Sequence, residues 1–325
     1  MTARRIFVQI SLLLMLFAGS ALAGTSATAA NCSAAQRHEA DRWLWLNARD
    51  RDISLEQNLP WGAPTPTGPV SNERELVQRD YVIGYDADLR VPLWTAERVT
   101  GAGLGKVGRS DCFRKDVRLK LADASTPSDY SERIFDQGHV TPSADMTMSK
   151  LAVHNSFIMS NMTPQFCQFN RGVWQILEEI ARRWAVQYGT IYVTSGSIFD
   201  RDANGARDPD NAALHMASNN GKSRVAIPSA FYKIVAVKDP DGTVETLSIL
   251  LPNDQTDLDG AEAVAYLGQH VTSLAHIEQL TGADLFPNAP PDLAEHPALW
   301  PFSGQPPRSL AHGAQCAATE GAVIH

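Results

Sequence analysis

The segment Asp-Gln-Gly-His at residues 136–139 carries a histidine that could do chemistry. Pro142 follows closely and disfavours a helical conformation at Thr141, so the chain is expected to be extended or turning here. His139 is therefore predicted at a strand end or in a loop, where its side chain can reach solvent and a substrate. A neutral imidazole in such a place is a suitable general base near neutral pH. The alternative is an ordinary surface or core histidine.

A second group of polar residues lies on a predicted helix that begins at Asn170. Apolar side chains recur there with the i, i+3, i+4, i+7 spacing of an amphipathic helix of roughly four to five turns. They are Val173, Trp174, Leu177, Ile180, Ala181 and Trp184. Asn170, Glu178 and Arg182 share one stripe of this helix and would face the same region as His139. Taken alone, Asn170 could be an N-cap and the other two an exposed ion pair.

Three sequence blocks in this region resemble the signature of the DNA/RNA non-specific endonucleases. They are DQGHVTPSADM, SNMTPQ and FNRGVWQILEE, in this order. The family comprises ββα-metal nucleases, among them secreted bacterial nucleases and mitochondrial endonuclease G. Further family-like segments extend the resemblance over roughly residues 79–288: YVIGYDADLRVPLWTAERV, RSDCFRKD, TSGSIF, VAIPSAFYKIVAV and IEQLTGADLFPN. The resemblance implies an α+β fold in which helices pack on a mixed, mostly antiparallel sheet, with a ββα-metal (His-Me finger) active site.

The resemblance also assigns metal chemistry to three of these residues. His139 would be the general base that takes a proton from the attacking water. Asn170 would be the only direct protein ligand of a hard divalent ion, Mg²⁺ with Mn²⁺ able to substitute, and water would complete the octahedral coordination. Glu178 would hold one of these water molecules. The products would carry a 5′-phosphate.

Two arginines and Asn161 complete the expected site. Arg109 and Arg182 are candidates for stabilising the charge of the transition state, and Asn161 would hydrogen-bond within the site. Asp136 is expected to orient the loop and not to react. The family usually has Asp-Arg-Gly-His, so Gln137 lacks the charge and the fork geometry that suit phosphate. This departure affects the expected rate or substrate range more than the reaction class.

These residues predict an endonuclease that hydrolyses phosphodiester bonds of DNA and RNA. Little sequence preference is expected, because contacts to backbone phosphates do not read base edges; the acceptance of both sugars is implied by the resemblance alone. One alternative is a secreted nucleic-acid-binding or uptake protein that keeps the fold but is catalytically weak, with Gln137 as the cause. Another is a phosphodiesterase or phosphatase for small molecules, which would need a closed pocket.

Charge is distributed unevenly along the chain. It has 28 basic and 36 acidic residues, a formal net charge of -8, which argues against a protein that coats nucleic acid generally. Residues 97–120 differ, with seven basic and three acidic side chains. A local basic wall on an acidic body suits a nuclease that binds phosphate and then releases its product. The alternative is an ordinary solvated loop.

The N-terminus has the pattern of a cleaved secretory signal at residues 1–23. Two arginines precede an apolar run over residues 6–17, and Ala-Leu-Ala at residues 21–23 has the form of a signal peptidase site. The run is too short for a membrane-spanning helix, although a membrane anchor or a cut at residues 27–29 are alternatives. The mature chain is expected to begin near Gly24, free of the membrane, in the periplasm or outside the cell.

Export would place the cysteines in an oxidising compartment. They are Cys32, Cys112, Cys167 and Cys316. Four cysteines allow three pairings, and the absence of CxxC and HxxxH spacings makes a zinc site unexpected. The resemblance places the segments of Cys112 and Cys167 on opposite sides of one active site, which favours the pairs Cys112–Cys167 and Cys32–Cys316.

Three parts of the mature chain are predicted: an N-terminal helix with a proline-rich arm (24–78), the endonuclease domain (79–288) and an irregular tail (289–325). The helix of the arm is expected over residues 32–50. Prolines in residues 54–79 indicate a linker without regular structure.

Within the domain, sequence patterns predict two hairpins, a strand and a short helix. These are residues 81–85 with 93–99, residues 224–237 with 244–251, residues 190–194, and residues 273–280 ending at Gly282. The Asp/Asn/Gly loop at residues 200–211 lacks the closing glutamate of a calcium loop, so calcium is not expected there.

Overall fold

This computed structural model describes residues 32–68, 72–217, 224–291, 293–302 and 316. A large sheet forms the centre of this part of the chain. The strands are β1 Thr65–Pro66, β2 Glu73–Val77, β3 Tyr81–Asp86, β4 Val91–Thr100, β5 Phe135–His139, β6 Met162–Phe166, β7 Thr190–Ile198, β8 Leu214–His215, β9 Ala226–Ile227, β10 Ala230–Lys238, β11 Val244–Pro252, β12 Val271–Thr272, β13 Ala283–Asp284 and β14 Ala294–Glu295. Eight of them form the sheet, in the order β12-β11-β10-β7-β4-β3-β2 with β14 beside β11.

The sheet is antiparallel except where β14 pairs with β11. Both predicted hairpins are present, as β3–β4 and β10–β11. The second turns through Gly242, whose φ of +97° favours glycine because it has no Cβ. The expected α+β architecture with a mostly antiparallel sheet is confirmed.

Helices pack on this sheet and at its ends. They are α1 Ala34–Trp43, α2 Ala48–Asn58, α3 Lys150–Ser156, α4 Cys167–Phe169, α5 Gln175–Tyr188, α6 Gly260–Gln269 and α7 Leu274–Thr281. The end of α7 at Gly282 is as predicted, since this residue takes the left-handed conformation of a C-cap. The sequence patterns did not predict α6.

The prediction of one helix over residues 32–50 is wrong, because the chain forms α1 and α2 there. Ser33 caps α1 in a capping box with Gln36. Asn47 starts a new helix, since its side chain accepts a hydrogen bond from the backbone N–H of Asp50. The expected linker is also partly regular: α2 continues to Asn58, and β2 pairs with β3 at the edge of the main sheet.

β5 and β6 form a separate antiparallel pair that leads directly into a long helical segment. Their register runs from Phe135 opposite Phe166 to His139 opposite Met162. β6 continues into α4, then into a π-helical turn at Asn170–Trp174, and then into α5. The predicted helix is thus present, with a bend at Gly172 (φ -106°, ψ -113°). Two strands and a helix give the expected ββα arrangement.

Apolar packing holds α5 against the sheet. Its buried side chains are Ile176, Leu177, Ile180, Ala181, Trp184 and Ala185. Burial of each large apolar side chain is favourable by about 1.5–3 kcal/mol. An isolated helix of this length would be marginal in water, so tertiary packing, and not helix propensity, decides where its polar residues lie.

Two predictions fall wholly or largely on residues outside the described part of the chain. Residues 1–31, and with them the expected signal segment, lie outside the described residues, as does most of the expected tail. The described part of that tail contains β14 and a short 3-10 turn at Pro297–Leu299. No helix among the described residues combines the length and apolar character that crossing a membrane requires.

The predicted disulfide pairing is wrong. The bonds are Cys32–Cys112 and Cys167–Cys316, with Cα separations of 5.4 Å and 5.7 Å. The N-terminal helix lies beside the loop that carries Cys112, because Arg114 in that loop donates from Nε to Asp41 Oδ1 of α1 at 2.7 Å. This packing brings Cys32, and not Cys167, next to Cys112.

Peptide mapping under non-reducing conditions should therefore recover Cys32 linked to Cys112, and Cys167 linked to Cys316. Replacing Cys32 and Cys112 together by serine should lower the free energy of unfolding by about 2–5 kcal/mol, because the cross-link constrains the unfolded chain. A Cys112–Cys167 peptide from the folded protein would contradict the structure.

Candidate active site

His139 is the last residue of β5, at the strand end that the sequence predicts. Its ring packs edge-on against Phe157, with 4.6 Å between centroids. The residue is 9% exposed and thus less open to solvent than expected, and its Nε2 atom has no hydrogen-bond partner in the described part of the chain. Burial, and secondly the charge of Arg109, lower the pKa of His139 well below 6.5. The imidazole is therefore neutral at pH 7 and able to accept a proton.

Asn161 supports the chain that follows His139. Its Nδ2 atom donates to the backbone oxygens of Thr141 at 2.9 Å and Ser156 at 2.8 Å, and its Oδ1 accepts from the Thr141 N–H at 2.9 Å. The side chain is completely buried. Because both amide donors are engaged with backbone, Asn161 fixes the loop behind the site and does not face a substrate.

Asn170 begins the π-helical turn and is held by Asp136. Its Nδ2 atom donates to Asp136 Oδ2 at 2.8 Å. The same carboxylate accepts two hydrogen bonds from Arg171, from Nε and Nη2, each at 2.7 Å. Since the amide nitrogen is turned to Asp136, Oδ1 of Asn170 is the atom directed away from it. Asp136 is thus in a position to orient Asn170.

Gln137 and Arg109 differ in what they could offer to a phosphate. The Nε2 atom of Gln137 donates to a backbone oxygen of the preceding loop at 3.4 Å, and its Oε1 is buried with no hydrogen-bond partner among the described residues. The Arg109 side chain is 60% exposed, with Nε donating to Asp111 Oδ1 at 2.6 Å. Its guanidinium lies 4.9 Å from the centroid of the Phe157 ring, which His139 also contacts. An exposed cation therefore lies beside the imidazole.

Glu178 and Arg182 extend from α5 toward Asp145. Arg182 Nη1 donates to Asp145 Oδ1 at 2.8 Å, so this guanidinium already holds a carboxylate. Burial raises the pKa of Glu178 to about 7, against the opposing positive charges of Lys233 and Arg182. The structure thus brings the partly buried Glu178 close to the buried charges of Asp145 and Lys233, a grouping that the sequence did not reveal.

The donor set suits a hard divalent ion. Asn170 offers a neutral amide oxygen whose direction is set by Asp136, and Glu178 on the same helical segment offers a carboxylate. Oxygen ligands of this kind suit Mg²⁺ and Mn²⁺. The nearby Cys167 is in a disulfide and is no candidate for a soft-metal site.

Three buried charged residues that the sequence analysis did not assign lie near Glu178: Asp145, Glu97 and Lys233, which are 3%, 1% and 1% exposed. Glu97 in β4 and Lys233 in β10 are charged residues in otherwise largely buried strands. A charged residue between apolar residues of a predicted strand is a signal that could have identified Lys233, because burying a charge is costly; Glu97, which Arg98 follows, gives a weaker signal. Asp145 lies inside the block DQGHVTPSADM.

Comparison with known proteins identifies the family of this chain. A family model described as DNA/RNA non-specific endonuclease matches residues 63–292. Mitochondrial endonuclease G of Bos taurus is 30% identical over 237 residues, which are 70% of this chain and 76% of the relative. A nuclease of Nostoc sp. is 29% identical over 250 residues, 74% of this chain and 83% of the relative. A chain of the crystal structure of the EndoG/EndoGI complex has a TM-score of 0.59 at 23% identity, covering 74% of this chain and 95% of that one.

The chain therefore belongs to the DNA/RNA non-specific endonuclease family. It is an enzyme of the nuclease class, a hydrolase that acts on nucleic acids, and the family is one of metal-dependent nucleases. The resemblance seen in the three sequence blocks is confirmed, and so is the fold it implied.

In metal-free protein, the raised pKa of Glu178 predicts a pH-dependent stability. The pKa of the Glu178 carboxyl group is about 7 in the folded state and 4.5 in the unfolded state, so the folded state binds the proton more tightly. The stabilisation that protonated Glu178 contributes is complete below pH 4.5 and is lost as the pH rises through 7. Glu178→Gln, which cannot ionise, should therefore gain thermal stability relative to wild type as the pH rises from about 5 to about 8.

Thermal denaturation in the presence of chelator measures this difference. Glu179→Gln is the matched control, because Glu179 is partly exposed and pairs with Arg183 at the surface; its difference from wild type should not change across this range. If the difference in thermal stability between Glu178→Gln and wild type also stays constant across this pH range, the pKa of Glu178 is not raised.

Proposed function

We propose that this protein is a secreted, metal-dependent endonuclease that hydrolyses phosphodiester bonds of DNA and RNA with little sequence preference. The observation that carries the proposal is His139, a neutral imidazole whose buried Nε2 has no hydrogen-bond partner among the described residues. A group held neutral, with an unused acceptor atom at the end of a rigid strand, suits the work of a general base.

His139 would take a proton at Nε2 from the water that attacks phosphorus. Asn170 would hold Mg²⁺, or Mn²⁺ in its place, through Oδ1, because Asp136 engages the amide nitrogen. Such an ion supplies positive charge against the phosphate oxygens and the departing oxygen. Glu178 would hold water of the ion's hydration shell, and a nearby dication would favour the ionised form of this carboxyl group.

The two arginines would have different roles. Arg109 presents a largely exposed guanidinium beside His139 and would bind the phosphate directly. Arg182 is bound to the buried Asp145 and would act mainly by holding that carboxylate under the site, with its charge contributing at a distance. Because these contacts address the phosphate and not the bases, discrimination between sequences should be small.

A catalytically weak nucleic-acid-binding protein is the second candidate function, and Gln137 is the observation that favours it. Its side chain has no charge, and its amide is turned to a backbone oxygen of the preceding loop. A phosphate contact usual in the family would then be missing. The two functions differ in whether His139 matters for turnover.

Purified mature protein should cleave both plasmid DNA and RNA with added Mg²⁺, and excess chelator should abolish cleavage. His139→Ala should lower the rate by about 10²–10⁴, the usual contribution of a general base, with DNA affinity nearly unchanged. Asn170→Ala should abolish activity at low Mg²⁺ without unfolding the protein. His276→Ala, at an exposed position of α7, is the matched control and should behave as wild type.

Three outcomes would revise the proposal. Full activity in chelator would reject the metal. Wild type and His139→Ala that are equally inactive, with activity appearing only in Gln137→Arg, would favour the binding protein. Equal, chelator-sensitive cleavage by wild type and His139→Ala would move the catalytic base to another residue.

Export of the enzyme is supported by the N-terminal pattern of residues 1–23 and by two disulfides, which persist in oxidising compartments. We infer that the mature protein begins near Gly24 and works in the periplasm or outside the cell. N-terminal sequencing of the protein recovered from its producing cells should find this start. Protein that keeps Met1 and carries alkylatable thiols would contradict export.

A further inference from the structure

A cavity of about 130 Å³ lies beside the end of β6, where this strand runs into α4. Its walls are mostly apolar and include two aromatic side chains: Phe166, Phe199, Leu214 and Ile227. The residues that line it are distinct from those assigned to the active site. An apolar cavity of about 150 Å³ can hold a benzene molecule. The volume here therefore suits one six-membered ring.

Asn253 fixes the shape of the cavity. Its Nδ2 atom donates to the backbone oxygens of Pro164 and Pro228, each at 3.0 Å, and its Oδ1 accepts from the Phe166 N–H at 3.1 Å. The side chain is buried, and its hydrogen bonds join the end of β11 to β6 and to the segment between β9 and β10. Because these walls are already held in place, a ligand would lose little affinity to ordering them.

Two charged residues, Arg201 and Asp208, line the more exposed part of the cavity. Asp208 Oδ2 accepts a hydrogen bond from the Arg201 N–H at 2.8 Å, which fixes the two residues relative to each other. Their side chains offer hydrogen-bond donors and acceptors at the edge of an apolar interior. A nucleobase has the matching chemistry, since its ring face stacks on aromatic side chains and its edge carries donors and acceptors. A phosphate group does not suit such walls.

The register of β5 and β6 relates this cavity to His139. Phe166 is opposite Phe135, and the centroids of their rings are 4.6 Å apart. Side chains alternate between the faces of a strand, so Phe135, Gln137 and His139 share one face. Phe135 and His139 are separated by about 13 Å at roughly 3.3 Å per residue. Stacked nucleotides advance about 3.4 Å each, so a strand with a phosphate at His139 reaches the cavity within a few nucleotides.

We propose that this cavity is a subsite that takes one unpaired nucleobase of the substrate strand, a few nucleotides from the cleaved bond. The inference rests on the proposed function, because it requires the bound strand to pass His139. A base enters a cavity only after it leaves its stack and its pair, which costs least in a single strand. The subsite therefore contributes to the binding of single strands and not to that of duplexes. A pyrimidine, with one ring, fits the volume better than a purine.

Binding of abasic strands measures this contribution without any variant of the protein. Wild type in excess chelator, where the proposed metal-dependent cleavage is stopped, is titrated with a short oligothymidylate and with a fully abasic strand of the same length. The abasic strand should bind about 5- to 150-fold more weakly, the range for one base stacked on aromatic side chains. One thymine in the middle of the abasic strand should recover most of the difference, and one adenine less. No recovery with one thymine would overturn the proposal.

Filling the cavity tests where that base binds. Ala213 lines the cavity, and Ala213→Phe should bind oligothymidylate about 5- to 150-fold more weakly than wild type and should not distinguish one thymine from none. Its affinity for a duplex of the same length should equal that of wild type, because paired bases stay outside. Ala212→Phe, at the exposed neighbouring position, is the matched control and should bind every strand as wild type does.

Should Ala213→Phe fail to fold, Phe199→Leu removes one aromatic wall and should show the same pattern with a smaller loss. Wild-type affinity of the cavity variant for oligothymidylate would overturn the subsite, and so would an equal loss of affinity for the duplex. Wild-type protein that cleaves no nucleic acid with Mg²⁺ would instead reject the proposed function. The titrations in chelator would still decide whether the cavity takes a base.

Discussion

The antiparallel pairing of β5 with β6 is the interaction on which the site depends. This register puts Asp136 opposite Gln165, and the chain turns into a helix immediately after Phe166. Asn170 consequently returns beside Asp136 and is held there by a hydrogen bond of 2.8 Å. Shifting the register by one residue would reverse the faces of the strand. The direction of the Asn170 amide is thus a consequence of strand pairing, with Arg171 as a second support of the same carboxylate.

Burial sets the ionisation of two groups near that amide, His139 and Glu178. Removing water disfavours charge, so it acts in opposite directions on a base and on an acid. It lowers the pKa of His139 well below 6.5 and raises that of Glu178 to about 7. The positive charges of the buried Lys233 and the partly buried Arg182 limit the rise in the pKa of Glu178. Neighbouring groups with pKa values moved in opposite directions are a recurring feature of acid–base sites.

Two disulfides link Cys32 and Cys316 to elements next to the site. Cys32–Cys112 joins the N-terminal segment to the cluster that contains Phe157, the ring against which His139 packs. Cys167–Cys316 ends beside Asn170, since Cys167 begins the helical segment. The bonded cysteines are 80 and 149 residues apart in sequence. Closing a long loop restricts the unfolded chain more than closing a short one. The cross-links therefore favour the folded state while anchoring elements next to the site.

The local elements could be read from the sequence because each depends on residues close together in the chain. The period of apolar residues after Asn170 predicted the helix, turn residues predicted the hairpins, and three ordered blocks indicated the family. Tertiary packing decided the rest. The partners of the four cysteines and the hydrogen bond between Asp136 and Asn170 join segments that are distant in sequence. The burial of Glu97 and Lys233 likewise depends on packing between such segments. Periodicity reports which side of an element is buried, but not which other element covers it, and the electrostatic environment of a side chain depends on that second fact.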